Sequence, residues 1–372
     1  MGIGHTRRGT RSWAIILALV AVLAVTLAAC GSGDGGGAAG GTAADQTVGE
    51  GIQSGENARQ GGDLKVGLPG VPASLDPTLS PRSANYIFGT YSETLTNFDL
   101  EGKLTKDGLL TDWERPDENT WRFTLREGVT FHNGEPFDAK AAAYTILAQR
   151  DTEGAILATY FQNIDDVEVV DPTTIDVKTK TPQFNIPDQL GTVYAIPPKA
   201  YEEQGADFAK KPIGTGPFVF DGQRAGQSAR VTANEEYWRG RPKLDSITFS
   251  FPKDAAQRLA LVQSGALDLA FELSHTQAEE AENAGLQVLS VPTSLKQVAF
   301  VVEKGPFEDP DVRKAAALAI DRKAIVEGIF NGTNTAEGGF LNTLPGQDVP
   351  QVLEPDMEEA KRLLAGKSQR SR

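Results

Sequence analysis

The chain has 372 residues, 50 of them acidic and 36 basic, for a net charge of −14 at pH 7. A polyanion with no Lys/Arg cluster before its last few residues is a poor nucleic-acid binder, because neutralising phosphate needs such clusters. A single cysteine rules out a disulfide within the chain, so a large apolar core must carry the stability, and roughly 300 ordered residues suffice for two lobes.

The first 29 residues hold Arg7, Arg8 and Arg11, no acid, and then an apolar run over 13–29. A basic start, an apolar middle and small residues at the end mark a secretory signal. The run closes as Leu27-Ala28-Ala29-Cys30-Gly31, which resembles the lipobox of bacterial lipoproteins. That resemblance implies cleavage before Cys30 and lipid attachment to it, which tethers the body to the outer face of a membrane. Losing the three arginines would leave 33 basic against 50 acidic residues, a net charge of −17. The alternative is a membrane-spanning helix, for which about 17 residues is the lower edge. Thr6-Arg7-Arg8 hints at twin-arginine export, although Gly9, Thr10 and Arg11 follow where that pattern turns apolar. Residues 31–60 are mostly small and polar and bury too little to order themselves. They read as a leash with a random-coil reach of about 30 Å.

In the body, residues 63–68 alternate and predict a strand, and a proline-bearing loop over 69–81 follows. Residues 121–125 alternate cleanly as a half-buried strand. Asn133-Gly134 then signals a hairpin turn, because both residue types tolerate positive φ. Asp138 is placed to cap a helix over 139–150, and strands are expected at 167–170 and 174–179. Residues 212–220 read as a glycine-bearing turn into a strand. Further strands are expected around Val231 and over 247–251, 267–271, 286–291 and 297–302. Helices are expected over 255–263 and 276–284. Asp309-Pro310 opens another helix, with Asp as N-cap and Pro at the first helical position, and Asp321 recaps the chain into a helix over 322–330. The mixture, without a 20–50-residue period, predicts an α/β architecture and excludes a solenoid.

Six blocks in order resemble the extracellular solute-binding proteins of peptide and nickel ABC importers. They are Gly61-Gly-Asp-Leu-Lys-Val66 with Ala73-Ser-Leu-Asp-Pro77; Leu109-Leu-Thr-Asp-Trp113 with 121–125; Arg126-Glu-Gly-Val-Thr-Phe-His-Asn-Gly-Glu-Pro-Phe137; Pro212-Ile-Gly-Thr-Gly-Pro217; Asn234-Glu-Glu-Tyr-Trp-Arg-Gly240 with Pro242-Lys-Leu-Asp245; and Val312-Arg-Lys-Ala315 with Ala319-Ile-Asp-Arg322. The resemblance implies a two-lobe periplasmic-binding-protein-like α/β fold of type II with an extra subdomain, closing on a ligand in the interlobe cleft. Residues 61–100 and 212–272 would form lobe one, 101–211 the extra subdomain, and 273–372 lobe two. It also implies a monomer that delivers peptide or another small solute to ABC permease subunits with cytoplasmic ATPases. A ligand-sensing lipoprotein is the variant of that reading.

The family's lobe two usually continues well past this point. Here the helix at 357–365 is followed by Gly366-Lys-Ser-Gln-Arg-Ser-Arg372. This reads either as a chain interrupted in lobe two, and so a non-functional fragment, or as a short variant with an exposed basic tail. An incomplete lobe two would leave Val298, Phe300, Ile320 and Ile329 without partners and would be unstable, since apolar burial at ~25 cal/mol per Å² supplies most of the folding energy.

The loop Gly70-Val-Pro-Ala-Ser74 aligns with a family loop that contacts peptide backbone. The resemblance therefore makes Val71, Ala73 and Ser74 candidate ligand contacts, with main-chain pairing to an extended peptide as the chemistry. Tyr160 falls where some relatives place a cleft aromatic, and either stacks on ligand or fills core. Trp113, Trp121 and Trp238 read as structural, and His132, ahead of a turn, as a structural hydrogen-bonding residue. Gly214 and Gly216 lack the third glycine or lysine of a phosphate loop. No Gly-x-Ser-x-Gly or His-Glu-x-x-His occurs, and the histidines His5, His132 and His275 are isolated. Neither an enzyme, nor a protein-only metal site, nor a cofactor is expected.

Overall fold

The structure, a computed structural model, describes residues 58–80, 85–99, 102–289, 300–330, 332 and 353–365. The signal, Cys30, most of the leash, Val298 and the basic tail lie outside the described residues.

The elements run β1 (Asp63–Gly67), α1 (Asn85–Tyr91), β2 (Asn97–Phe98), β3 (Leu104–Thr105), β4 (Leu110–Asp117), β5 (Thr120–Leu125), α2 (Ala139–Asp151), α3 (Ala158–Phe161), β6 (Ile164–Asp171), β7 (Thr174–Thr179), α4 (Ile186–Leu190), α5 (Pro198–Gln204), β8 (Phe218–Arg224), β9 (Ser228–Ala233), β10 (Ser246–Ser250), α6 (Ala255–Gln263), β11 (Leu269–Ala270), α7 (His275–Asn283), α8 (Pro310–Leu318), α9 (Arg322–Phe330) and α10 (Met357–Leu364). The first sheet has the order β11-β1-β10-β9-β8 and the second β4-β5-β7-β6. In the first sheet β1 runs parallel to both β10 and β11, while β9 is antiparallel to β10 and to β8. The second sheet is antiparallel throughout.

Two apolar cores follow these sheets. Val66, Phe88, Tyr91, Val231 and Phe249 are buried together against the first sheet. The second sheet presents Phe123, Val167, Ile175 and Val177 to the alanine-rich face of α2. On β5, Trp121, Phe123 and Leu125 share the core-side phase. Trp121 is structural as expected: it packs on this core and its Nε1 donates to the Gln183 carbonyl at 2.8 Å. On the opposite face Arg122 grips Asp176 with two bonds of 2.8 and 2.9 Å across the ladder, and this pairing holds the Asp176 carboxyl below the usual range.

Local signals set the helix starts. Asp138 accepts from the Ala141 N–H at 3.0 Å, Asp309 from Asp311 with Pro310 leading the helix, and Asp321 from Ala324 at 2.9 Å. Each carboxylate binds an N–H that the helix leaves unpaired.

Four expectations need correction. Residues 286–289 and 300–302 form no strand; their apolar alternation finds no described partner strand. The Asn133-Gly134 turn carries positive φ at Gly134 alone. It is a tight loop closed by the bridge Thr130–Pro136, with Asn133 Oδ1 accepting from the Glu135 N–H, rather than a hairpin between long strands. The strand expected over 267–271 shortens to Leu269–Ala270. Phe300, expected without a partner, stacks on Phe307 with centroids 4.6 Å apart. Ile320 is half-buried, and Ile329 is 66% exposed. Ala315, Leu318 and Ala360 form a small core between α8 and α10.

Candidate functional site

The parallel strands β1, β10 and β11 all end at one edge of the first sheet. In open α/β sheets the crevice beyond such carboxyl ends is where ligands sit. Three segments meet there. The chain after β1 continues the ladder for one residue, Leu68 N–H donating to the Ser250 carbonyl at 2.8 Å, and then turns into the loop. The segment after β10 leads into α6. The segment after β11 leads through Glu272 into α7.

A buried cation ties the last two segments together. Arg258 of α6 is 2% exposed. Its Nη1 donates to the carbonyls of Pro252 and Lys253 at 2.8 and 2.9 Å, its Nε to that of Phe271 at 3.0 Å and its Nη2 to that of Glu272 at 2.7 Å. Among the described residues no carboxylate pairs with it, so four carbonyl dipoles alone satisfy the guanidinium fork. Gly67 completes the close fit: a Cβ there would lie 2.6 Å from Leu267 Cδ1 and 3.6 Å from Arg258 Cδ.

A pocket of about 180 Å³ opens at this edge, lined by Leu68 to Pro72 and by Glu272. Of the three candidate contacts in the loop, Val71 lines the pocket and is 43% exposed. Ala73 and Ser74 do not line it. Ser74 Oγ accepts from the Asp76 N–H at 3.0 Å, which commits that hydroxyl to the local turn. The loop is fastened from below. Buried Asp76 accepts from Thr78 N–H at 2.8 Å and from Tyr201 OH at 2.9 Å, and Tyr91 OH donates to the Leu75 carbonyl at 2.7 Å. Burial is the main reason the Tyr201 phenol is pushed up to about 12.

Residues 105–368 match the profile of the bacterial extracellular solute-binding proteins, family 5 (middle). The chain belongs to this family. Over 278 residues it is 33% identical to the glutathione-binding protein GsiB of Salmonella paratyphi A, covering 71% of this chain and 54% of that protein. It thus spans about half the length of the curated relatives it matches. Among solved structures, the ABC transporter substrate-binding protein CtaP of Listeria monocytogenes aligns with TM-score 0.68 at 23% identity, over 82% of this chain and 65% of that one. The oligopeptide-binding protein AppA of Bacillus subtilis, in complex with a nonapeptide, aligns with TM-score 0.66 at 24% identity, over 82% and 64%. The fold is therefore that of the periplasmic binding proteins, and the named relatives are solute-binding proteins rather than enzymes.

In this family member Tyr160 stands apart from the loop. It lines a different pocket of about 190 Å³, with Phe161, Asn185, Asp188 and Gln189 among its neighbours, and the two pockets share no residue. At 60% exposure it does not fill core, which corrects that half of the expectation; Phe161 beside it takes the core position at 1% exposure.

The glycine motif and His132 are structural, as their residue types suggested. A Cβ at Gly214 would sit 2.1 Å from the Tyr91 carbonyl oxygen, and one at Gly216 would sit 2.6 Å from the Tyr91 carbonyl carbon. His132 N–H donates to the Gly214 carbonyl at 2.9 Å. Its Nε2 donates to the Gly216 carbonyl at 3.0 Å while Nδ1 accepts from Gly214 N–H at 3.4 Å. These partners fix the neutral tautomer with the proton on Nε2, and burial lowers the imidazole pKa against a smaller opposing effect of the Gly216 bond. Trp238 is likewise structural: its Nε1 and the Tyr237 OH each donate to Glu93 at 2.8 Å, with Arg126 and Arg239 on the indole at 4.6 and 4.4 Å. Trp113 packs against the second core.

Among the described residues no cluster of three or more His, Cys, Asp or Glu could hold a metal, and no helix is long and apolar enough to cross a membrane. Sequence reasoning missed Arg258 and Glu272. An arginine amid the apolar residues of Ala255–Gln263 was a readable sign of a buried cation. The positive φ of Glu272 left no trace in the sequence.

Proposed function

We propose that this chain is the substrate-binding component of an ABC importer, anchored through lipidated Cys30 to the extracytoplasmic face of the cell membrane. It captures peptides or a related small solute in an interlobe cleft and hands them to permease subunits. In this reading residues 61–100 and 212–272 form lobe one, 101–211 the extra subdomain, and lobe two begins at 273. The protein acts as a monomer and does not turn its ligand over. The observation that carries it is the pocket beyond the carboxyl ends of β1 and β11, walled by the Val71 loop, in a member of the solute-binding family. In this reading Val71 meets the ligand within the pocket, Ala73 and Ser74 offer backbone groups beyond its lining, and Tyr160 supplies an aromatic face from the separate pocket it lines. Glutathione in the name of GsiB and a nonapeptide in the AppA complex support the peptide class.

Isothermal titration of the purified chain with glutathione and with short peptides tests capture. Saturable binding with unchanged ligand recovered afterwards supports it, and the lack of binding by every peptide tried removes it. Metabolic labelling with palmitate tests the anchor, which requires that Cys30→Ser lose both the label and retention in the membrane fraction.

A further inference from the structure

Capture of a solute gives the Asn133-Gly134 turn no role, yet this pair carries a chemistry of its own. An Asn followed by Gly is open to attack on its side-chain amide by the next backbone nitrogen, because a residue without Cβ leaves that nitrogen unhindered. Both residues are exposed, and a Cβ at Gly134 would meet nothing within 4 Å. Water and hydroxide therefore reach the turn.

The closed turn commits both reacting groups elsewhere. The nucleophile is the Gly134 nitrogen, and its N–H donates to the Phe131 carbonyl at 2.8 Å. The electrophile is Asn133 Cγ, and Glu135 holds its amide at both ends. Asn133 Nδ2 donates to Glu135 Oε1 at 2.5 Å, and Oδ1 accepts from the Glu135 N–H at 3.2 Å. Glu135 in turn caps a distant helix. Pro197, which precedes α5, offers no side-chain cap. Instead Glu135 Oε2 accepts from the Lys199 N–H at 3.2 Å and Oε1 from the Ala200 N–H at 3.1 Å. These are donors that the first turn of a helix leaves unpaired. The same helix carries Tyr201, which donates to Asp76 beneath the Val71 loop.

We propose that Asn133 is a deamidation site guarded by the closed turn, and that its conversion to an acid loosens the cap on α5. When the turn opens, the Gly134 nitrogen gives its proton to hydroxide and bonds to Asn133 Cγ. The Cγ–Nδ2 bond breaks, and Nδ2 takes a proton from water and leaves as ammonia. Water then adds to either carbonyl of the five-membered imide and opens it to aspartate or isoaspartate. Overall one water is consumed and one ammonia released. Aspartate puts a carboxylate where Nδ2 had donated to Glu135, so like charges face each other. Isoaspartate adds a methylene to the main chain of the turn as well.

The full chain is incubated in heavy-oxygen water at mildly alkaline pH, in native buffer and in urea, and the tryptic peptide 127–140 is read by mass spectrometry. Label at Asn133 should accumulate roughly tenfold faster or more in urea, because opening is a minority event in the native state. Glu135→Ala, which frees the Asn133 amide, should raise the native rate severalfold and leave the urea rate unchanged. The absence of label in urea removes the site. Equal rates in both buffers, or a native rate indifferent to Glu135→Ala, remove the guard. Asn133→Asp reads the consequence. Its folding constant should fall roughly three- to tenfold, the range for a partly exposed charged contact, and amide exchange at Lys199 and Ala200 should quicken. Adding Glu135→Gln should restore both, since glutamine donates to the new carboxylate and keeps an oxygen for α5. An Asn133→Asp chain with wild-type stability and exchange, or one that Glu135→Gln does not rescue, overturns the link to α5.

Discussion

Replacing Arg258 with methionine should be among the most damaging single changes in the first sheet. Methionine keeps the unbranched stem and most of the packing, so the perturbation isolates the guanidinium. Lost with it are four bonds of 2.7–3.0 Å that join the ends of β10 and β11. A hydrogen bond to a charged donor contributes about 1.5–3 kcal/mol net, and a buried carbonyl left unpaired costs about 1–3 kcal/mol. These contributions are not additive, and carbonyls at a strand end regain some water, so the expected loss is about 3–5 kcal/mol. That is a large part of a typical stability of about 5–15 kcal/mol. Arg258→Lys keeps the charge but offers three donors from one point, which cannot span two strand ends, and should fall between wild type and Arg258→Met. Urea unfolding followed by tryptophan fluorescence and by circular dichroism reads the midpoint and slope. An Arg258→Met unfolding free energy within about 0.5 kcal/mol of wild type at unchanged slope would falsify the view that this cation holds the two strand ends.

Three further outcomes follow from the same geometry. Gly214→Ala places a Cβ 2.1 Å from the Tyr91 carbonyl oxygen and should cost about 3 kcal/mol, whereas Gly70→Ala, with nothing within 4 Å, should stay within about 0.5 kcal/mol; thermal denaturation distinguishes them. Glu93→Gln replaces one of two acceptor oxygens, each holding a 2.8 Å bond, with an NH2 donor that faces either Tyr237 or Trp238, and a chemical-denaturation loss of about 1–3 kcal/mol is expected. His132 is neutral in the folded state because burial lowers its pKa, while the unfolded chain titrates near 6.5. Above that value His132 adds no pH dependence. As pH falls below it the unfolded state binds the proton first, so stability drops, by at most about 1.4 kcal/mol per pH unit, until the lower folded pKa is reached. His132→Gln should flatten that segment of the stability–pH curve, and an unchanged slope would contradict the assignment.

Features decided within a few residues were readable in the sequence. The N-caps Asp138, Asp309 and Asp321 act locally, since a carboxylate needs only the N–H groups two or three residues ahead. Residues 255–263 and 174–179 carry helix and strand patterns that match α6 and β7. Less local features were missed or misread for physical reasons. β4 runs through Pro116, which would break an inner strand but is tolerated at the edge of β4-β5-β7-β6. The helices α4 and α5 are short and carry a proline within their first two positions, among loop-like residues. The apolar alternation over 286–289 and 300–302 resembles a strand, yet a strand exists only where another offers its hydrogen bonds.

By itself the sequence determined the α/β class, the caps, and, through its ordered blocks, the family and the loop that would carry Val71. It could not determine the site, because the site is assembled from contacts some two hundred residues apart. Only tertiary structure brings Leu68 beside Ser250 and Glu272 beside Tyr86. It also separates Tyr160 into a pocket of its own and sets four carbonyls, from the segments on both sides of α6, around one buried arginine. Glu272 is one glutamate among many in the sequence. Its positive-φ backbone, with the carbonyl held by Arg258, is visible only in the tertiary structure.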